Sequence, residues 1–183
     1  MMNKNIGYAA VGCACASLVM SIIAIAVPFW ICTVTVFPWG STVVYYGLWT
    51  TCNQTKVRGQ KEPLVCRTFE RIEGRLSISV VRAVEVFQLL IEAVAMGLGL
   101  YSVIRKNPGF LCFVGVLSAL AGVLIALGAI VFGATIRNVP LEGSTLHFGF
   151  GFSVISGLLA VGAGGMFMAQ RAELIALRYD APY

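Results

Sequence analysis

No aspartate, glutamate, lysine or arginine occurs in residues 5–55, 107–136 or 143–170. A helix crossing the ~30 Å hydrocarbon layer of a bilayer needs about 20 apolar residues, and each of these stretches contains such a run. The chain is 58% hydrophobic and 11% charged, whereas a soluble domain carries roughly a quarter charged residues and under half apolar ones. A soluble globular fold is excluded, and 183 residues suffice for one membrane-embedded unit spanning 1–183. The formal net charge of +5 is not a nucleic-acid footprint. The basic residues stand singly or in pairs at the ends of apolar runs and in one loop, without the aromatic interleaving that a nucleic-acid surface requires.

Four spans are predicted, at about 6–27, 79–104, 110–136 and 148–169. The second contains Arg82, Glu85 and Glu92, but omitting it would strand the apolar run at 93–104 and leave an implausibly long loop. The first could be read as a signal peptide, with Lys4 as its charged region and Ala24-Ile25-Ala26 as a cleavage site. Its apolar run exceeds the roughly 7–15 residues of such a segment, so it is read as a retained helix. Short connections at 105–109 and 137–147 imply antiparallel neighbours in a bundle.

The loop at about 28–78 is different. Residues 31–37 and 42–46 are β-branched and alternating, and 64–69 can supply a third strand. The expected fold is a membrane four-helix bundle carrying a small extracellular antiparallel β-sheet built from this first loop. Counting basic residues places more on the loop side than on the side of the termini, against that orientation, although long loops translocate largely regardless of charge. Asn53-Gln54-Thr55 is a glycosylation acceptor, useful only outside the cytoplasm. The termini are therefore expected to be cytoplasmic.

Of six cysteines, Cys13, Cys15 and Cys112 fall within spans and read as small apolar side chains, while Cys32 sits unpaired at a span boundary. Cys52 and Cys66 share the polar loop. A bridge closing a loop of that length contributes about 3 kcal/mol in the chain-entropy model, and a small sheet with little core depends on such a staple. A Cys52–Cys66 disulfide is expected.

Trp30 ends the first span, and Gly47-Leu48-Trp49 stands just before Cys52. Taken singly, Trp30 reads as an interfacial belt residue and Trp49 as a core aromatic of the loop. Taken together, Trp30, Gly47-Leu48-Trp49, Cys52 and Cys66, followed by Arg82 at the start of the second span, resemble the first extracellular segment of the claudin superfamily. That superfamily includes the claudins, the peripheral-myelin and epithelial-membrane proteins and the calcium-channel gamma subunits. The resemblance implies a plasma-membrane protein at cell–cell contacts that meets itself or related four-span proteins in cis and in trans. In that setting it is an adhesive, barrier-forming or ion-selective component. Arg67, directly after the second cysteine, resembles the charge-selectivity position of the claudins. The gamma-subunit branch implies instead an auxiliary subunit of a channel or receptor. The tail ends Ala-Pro-Tyr rather than the Tyr-Val of many claudins, and residues 149–153 look as close to the epithelial-membrane branch, so the branch stays open.

Residues 56–75 carry six basic side chains against Glu62, Glu70 and Glu73, a local balance of +3 that would disfavour cations in a pore. Glu92 falls near the middle of the second span, with Glu85 on the same face. An acid at that depth is costly enough to need a partner, for which Ser17, Ser21 and Ser118 are candidates. Arg82 and Glu85, at i and i+3, are expected to pair. Small residues recur at four-residue spacing, Gly149, Ser153 and Gly157 in the fourth span and Ser118 and Gly122 in the third, allowing close helix approach in lipid. His147 has no ligand-spaced companions. With no nucleophile–base pair, phosphate loop or redox motif, no catalytic residue, cofactor or metal site is expected. A proton path through Glu85 and Glu92 is the enzyme or transporter alternative.

Overall fold

The computed structural model describes residues 4–68, 75–138 and 144–179. Four helices form the bundle: α1 (Lys4–Ala26), α2 (Arg75–Arg105), α3 (Pro108–Asn138) and α4 (Phe148–Tyr179). Each contains a segment long and apolar enough to cross a membrane, making this a multi-pass membrane protein. The 31 residues of α2 or α3 extend ~46 Å at 1.5 Å per residue, well beyond a ~30 Å hydrocarbon core. Helix α4 continues past the expected end at 169 to Tyr179. Residues 172–178 include Ala, Glu, Leu and Arg, good helix formers, so the helix has no reason to stop where the apolar run does.

Two residues reverse the chain between α2 and α3. Lys106 adopts a left-handed φ of 50°. Its N–H reaches the Val103 carbonyl at 3.4 Å, while the Asn107 N–H reaches Ser102 at 3.0 Å. That pairing is a Schellman cap. Asn107 then starts α3, its Oδ1 accepting from the Gly109 N–H at 3.0 Å, with Pro108 at the first helical position, where a missing N–H costs nothing.

Helix α4 packs on α3 and α1, and α2 packs on α3. The small-residue stripes serve this packing. Gly122 lies against Gly157 and Val161, and Gly164 against Gly115 and Ala119. The buried core forms two apolar clusters. The one beside the sheet includes Ala24, Trp30, Leu48, Val81 and Phe132. The one at the opposite end includes Ala10, Ala14, Leu111, Val114 and Phe167. Between them lies a belt of buried polar side chains: serines of α1 and α4, and the Glu85, Gln88 and Glu92 face of α2.

The first loop forms β1 (Ile31–Phe37), β2 (Gly40–Tyr46), β3 (Thr50–Val57), β4 (Gln60–Lys61) and β5 (Val65–Thr68). All pairings are antiparallel, in the order β4-β3-β2-β1-β6, with β5 also on β3. The β3–β4 turn is Arg58-Gly59, with φ of 49° and 86°, the doubly left-handed geometry that matches strand twist and favours glycine. Pro63 separates β4 from β5, because a proline has no N–H for the ladder. Contacts from Glu62 fill part of the gap, its N–H on the Thr55 carbonyl at 2.9 Å and its carbonyl accepting from Gln54 Nε2 at 3.3 Å.

Two expectations need correction. The sheet is not built from the first loop alone: the connection between α3 and α4 supplies β6 (Thr145–Leu146), paired with Cys32 and Ile31 of β1. Strand β3, which pairs with β2, β4 and β5, falls outside the three predicted strand segments.

Packing of α3 on α4 yields a prediction. A Cβ at Gly164 would lie 2.7 Å from the Gly115 carbonyl oxygen and 3.0 Å from the Ala119 nitrogen, whereas none at Gly133 would meet a neighbour within 4 Å. Gly164→Val should destabilise the purified protein by about 1–3 kcal/mol or more, as overpacking does. Gly133→Val should stay within about 0.5 kcal/mol of the parent. Thermal unfolding of both in detergent decides it.

Candidate functional site

The sequence-predicted residues converge where the sheet meets the bundle. Helix α1 ends at Ala26, two residues before Pro28, and the carbonyls of its last turn lack intrahelical donors. Trp30 supplies one: its indole N–H donates to the Ala24 carbonyl at 2.6 Å. Its backbone N–H donates to Tyr46 of β2, and its carbonyl accepts from His147 at the start of α4, both at 2.9 Å. The ring is fully buried, edge-on to Phe132 at 4.7 Å and near Phe150 at 6.3 Å. Trp30 is therefore a buried junction rather than the interfacial belt residue its position suggests.

Gly47-Leu48-Trp49 forms the turn from β2 to β3, closed by the Gly47 N–H on the Thr50 carbonyl at 2.9 Å. Gly47 lies directly against the Pro28 backbone, which leaves no room for a Cβ. Leu48 is fully buried in the cluster beside the sheet, and its carbonyl accepts from Arg82 Nε at 2.5 Å. The Arg82 guanidinium lies over the Trp49 ring, 5.2 Å from its centroid. Trp49 itself is 42% exposed, so it is no core aromatic; it covers the cation that binds the turn.

Glu85 does not serve Arg82 as expected. It turns into the bundle, where Oε1 accepts from Ser153 Oγ at 3.0 Å and Oε2 from Gln88 Nε2 at 3.3 Å. Burial is the reason: its residue surface is only 1% exposed, while Arg82 stays half-buried at the sheet.

Cys52 and Cys66 are direct cross-strand partners on β3 and β5 and form the expected disulfide. Cys32 lies in the same cross-strand row, on the far side of Tyr45. It is a free, buried thiol, and burial raises its pKa above the ordinary thiol range, which keeps it unreactive. Asn53 and Arg67 are both exposed. The register puts Arg67 opposite Thr51 and Asn53 opposite Val65. Since side chains alternate along a strand, these rows share one face, two residues apart. Lys56 and Lys61 pair with each other on the opposite face. Arg71, Arg75 and Glu73, part of the expected local charge, have side chains outside the described residues, as does Glu70.

Sequence reasoning missed Phe29, Phe132, Phe150 and Ser153 as parts of this junction. Phe29 makes ring contacts with Tyr45, His147 and Phe148. Nothing local to Phe132 marks it as the ring that meets Trp30.

Comparison with known proteins finds no matching family model and no matching curated protein.

Arg82→Met retains much of the stem but removes the charged donor. It should cost about 1.5–3 kcal/mol, the range for a hydrogen bond to a charged group, and Cys52→Ser should cost about 3 kcal/mol. Protease susceptibility of residues 50–68, with thermal unfolding alongside, should rise for both and remain at the parental level for Lys61→Met.

Proposed function

We propose that this chain is a claudin-like protein of cell–cell junctions, acting in adhesion or barrier formation through an extracellular, disulfide-stapled sheet. The observation that carries this reading is the junction itself. Trp30, Gly47-Leu48-Trp49 and Arg82 tie the sheet to three of the four helices, while the disulfide braces its far strand. A sheet held this way presents its outer features to a partner as a rigid body. Those features include an apolar hairpin tip, with Val36 77% and Trp39 64% exposed. An exposed apolar group of this kind is characteristic of an interaction surface. The partner is a second copy or a related four-span protein, in the same membrane or the opposing one.

Within that reading, Arg67 is the residue through which the sheet would influence ions. A monolayer expressing the protein should show a lower Na⁺/Cl⁻ permeability ratio than one expressing Arg67→Glu, measured as dilution potential. Equal ratios would remove Arg67 from the selectivity role. Intercellular strands in freeze-fracture images would support the junctional reading, and their absence at cell contacts would count against it.

The alternative, an auxiliary gamma-type subunit of a channel or receptor, is favoured by one observation. Asn53 of the glycosylation acceptor is exposed on the same face as Arg67, as its diagonal cross-strand neighbour, and such neighbours lie only about 7–8 Å apart. A glycan at Asn53 would cover the face that a pore needs. A mobility shift on deglycosylation, lost in Asn53→Gln, together with capture of a much larger channel, would favour the subunit reading. An unshifted band would favour the junctional one.

A further inference from the structure

The polar belt between the two apolar clusters has more acceptors than donors. Each serine hydroxyl carries one proton, and each is already engaged. Ser17 Oγ donates to the Ser156 carbonyl at 2.8 Å, and Ser156 Oγ donates to the Ser17 carbonyl at 3.0 Å. The Ser21 and Ser156 hydroxyls lie 2.5 Å apart, so Ser21 provides the proton of that contact. Ser153 donates to Glu85. Ser118, an expected partner of Glu92, donates instead to the Ala160 carbonyl at 2.9 Å.

Among the described residues, only Ser17 is turned toward Glu92. The Glu92 residue surface is 0% exposed, as is that of Gln88, and Glu92 Oε1, Glu92 Oε2 and Gln88 Oε1 all lack a hydrogen-bond partner. Ser17, one of the expected partners, is turned toward Glu92 as a hydrogen-bonding side chain, but its one proton is shared with the Ser156 carbonyl, 2.8 Å from its Oγ, so neither carboxylate oxygen is fully satisfied. All three unpartnered atoms are acceptors. Leaving one buried acceptor unsatisfied costs about 1–3 kcal/mol, and more for a charged group. Whatever completes this set must bring positive charge or protons. Among the described residues, no buried lysine, arginine or histidine does so.

We propose that the belt binds a small monovalent cation between the Glu92 carboxylate and Gln88 Oε1. The chemistry selects both size and charge. The unpartnered atoms are hard oxygens, which suit alkali ions. They are too few for the six to eight oxygens of calcium, and α2 alone cannot surround magnesium octahedrally. A single positive charge neutralises the one carboxylate whose oxygens have no donors, whereas a divalent ion would leave excess charge in a low-dielectric interior. Glu92 and Gln88 are four residues apart on α2, hence on one face. Ser17 of α1 faces Glu92 from across the bundle.

The test uses the full-length protein in nanodiscs at fixed pH and ionic strength, with sodium chloride replacing choline chloride. Above the dissociation constant the unfolding midpoint should rise with the logarithm of sodium concentration, by roughly 5–10 °C at about a hundredfold excess. Glu92→Gln removes the charge and gives Gln88 an amide donor, so its midpoint should not respond to sodium. If that variant does not fold, Gln88→Met should shift the sodium concentration at which the midpoint begins to rise upward by about tenfold, the effect of losing 1.4 kcal/mol of binding. The parent should also retain radioactive sodium that unlabelled sodium displaces and choline does not. A midpoint equally insensitive in the parent would overturn the proposal, as would parallel responses of parent and Glu92→Gln. A pH-dependent midpoint without retained sodium would identify the occupant as a proton and overturn it too.

Discussion

Trp30 is the residue on which the architecture depends. It lies only four positions beyond the end of α1, yet it joins α1, β2 and the start of α4 through its indole N–H, backbone N–H and carbonyl. Burying an indole removes about 150–250 Å² from water, or roughly 4–6 kcal/mol at 25 cal/mol per Å². That is an upper estimate, since unfolded chains already bury some apolar surface. It is still at least comparable with the ~3 kcal/mol of the disulfide. The disulfide constrains β3 against β5, at the side of the sheet remote from β1. Trp30 fixes where the whole sheet sits, and the staple only fixes the shape of its margin.

In lipid, the helices below have no hydrophobic incentive to associate, because the surrounding tails are as apolar as leucine. Close backbone approach and interhelical hydrogen bonds replace it. Both are present and spatially divided. Gly115, Gly122, Gly157 and Gly164 let α3 and α4 touch along their length, and the reciprocal Ser17–Ser156 bonds tie α1 to α4. Ser153 ties α4 to α2 through Glu85. Helix α4 thus packs on both α1 and α3, while α2 packs chiefly on α3 and reaches α4 through Glu85.

The helices were legible because charge exclusion is a property of composition, independent of which helix packs on which. Strands β1 and β2 were legible for a similar reason, being uncharged and β-branched. Strand β3 was not: Thr50–Val57 reads as TTCNQTKV, a polar segment with no clean alternation. It becomes a strand because β2 and β5 pair with both of its edges. The two-residue β6 was invisible because its pairing partner lies more than a hundred positions away. The tryptophans show the limit most clearly. Position alone makes Trp30 interfacial and Trp49 core; instead Trp30 is buried against Ala24, Phe132 and Phe150, while Trp49 is half-exposed over Arg82. The Cys52–Cys66 pairing was readable by contrast, since Cys32 lay at the span boundary and only Cys52 and Cys66 in the polar part of the loop.

The basic character of the loop is also less uniform in space than in sequence. Residues 56–75 balance to +3 as a string, but a strand divides its side chains between two faces. Arg67 stands with Thr51 on one side of the sheet, and Lys56 and Lys61 stand together on the other. A full strand layer separates them. At physiological salt the Debye length is ≈ 8 Å, so charges on opposite faces of a solvated sheet add little to each other's local field. Any electrostatic preference expressed by the face bearing Arg67 must therefore come from Arg67 and the neighbours on its own side. Summing the loop overstates that field, because Lys56 and Lys61 contribute to a different surface.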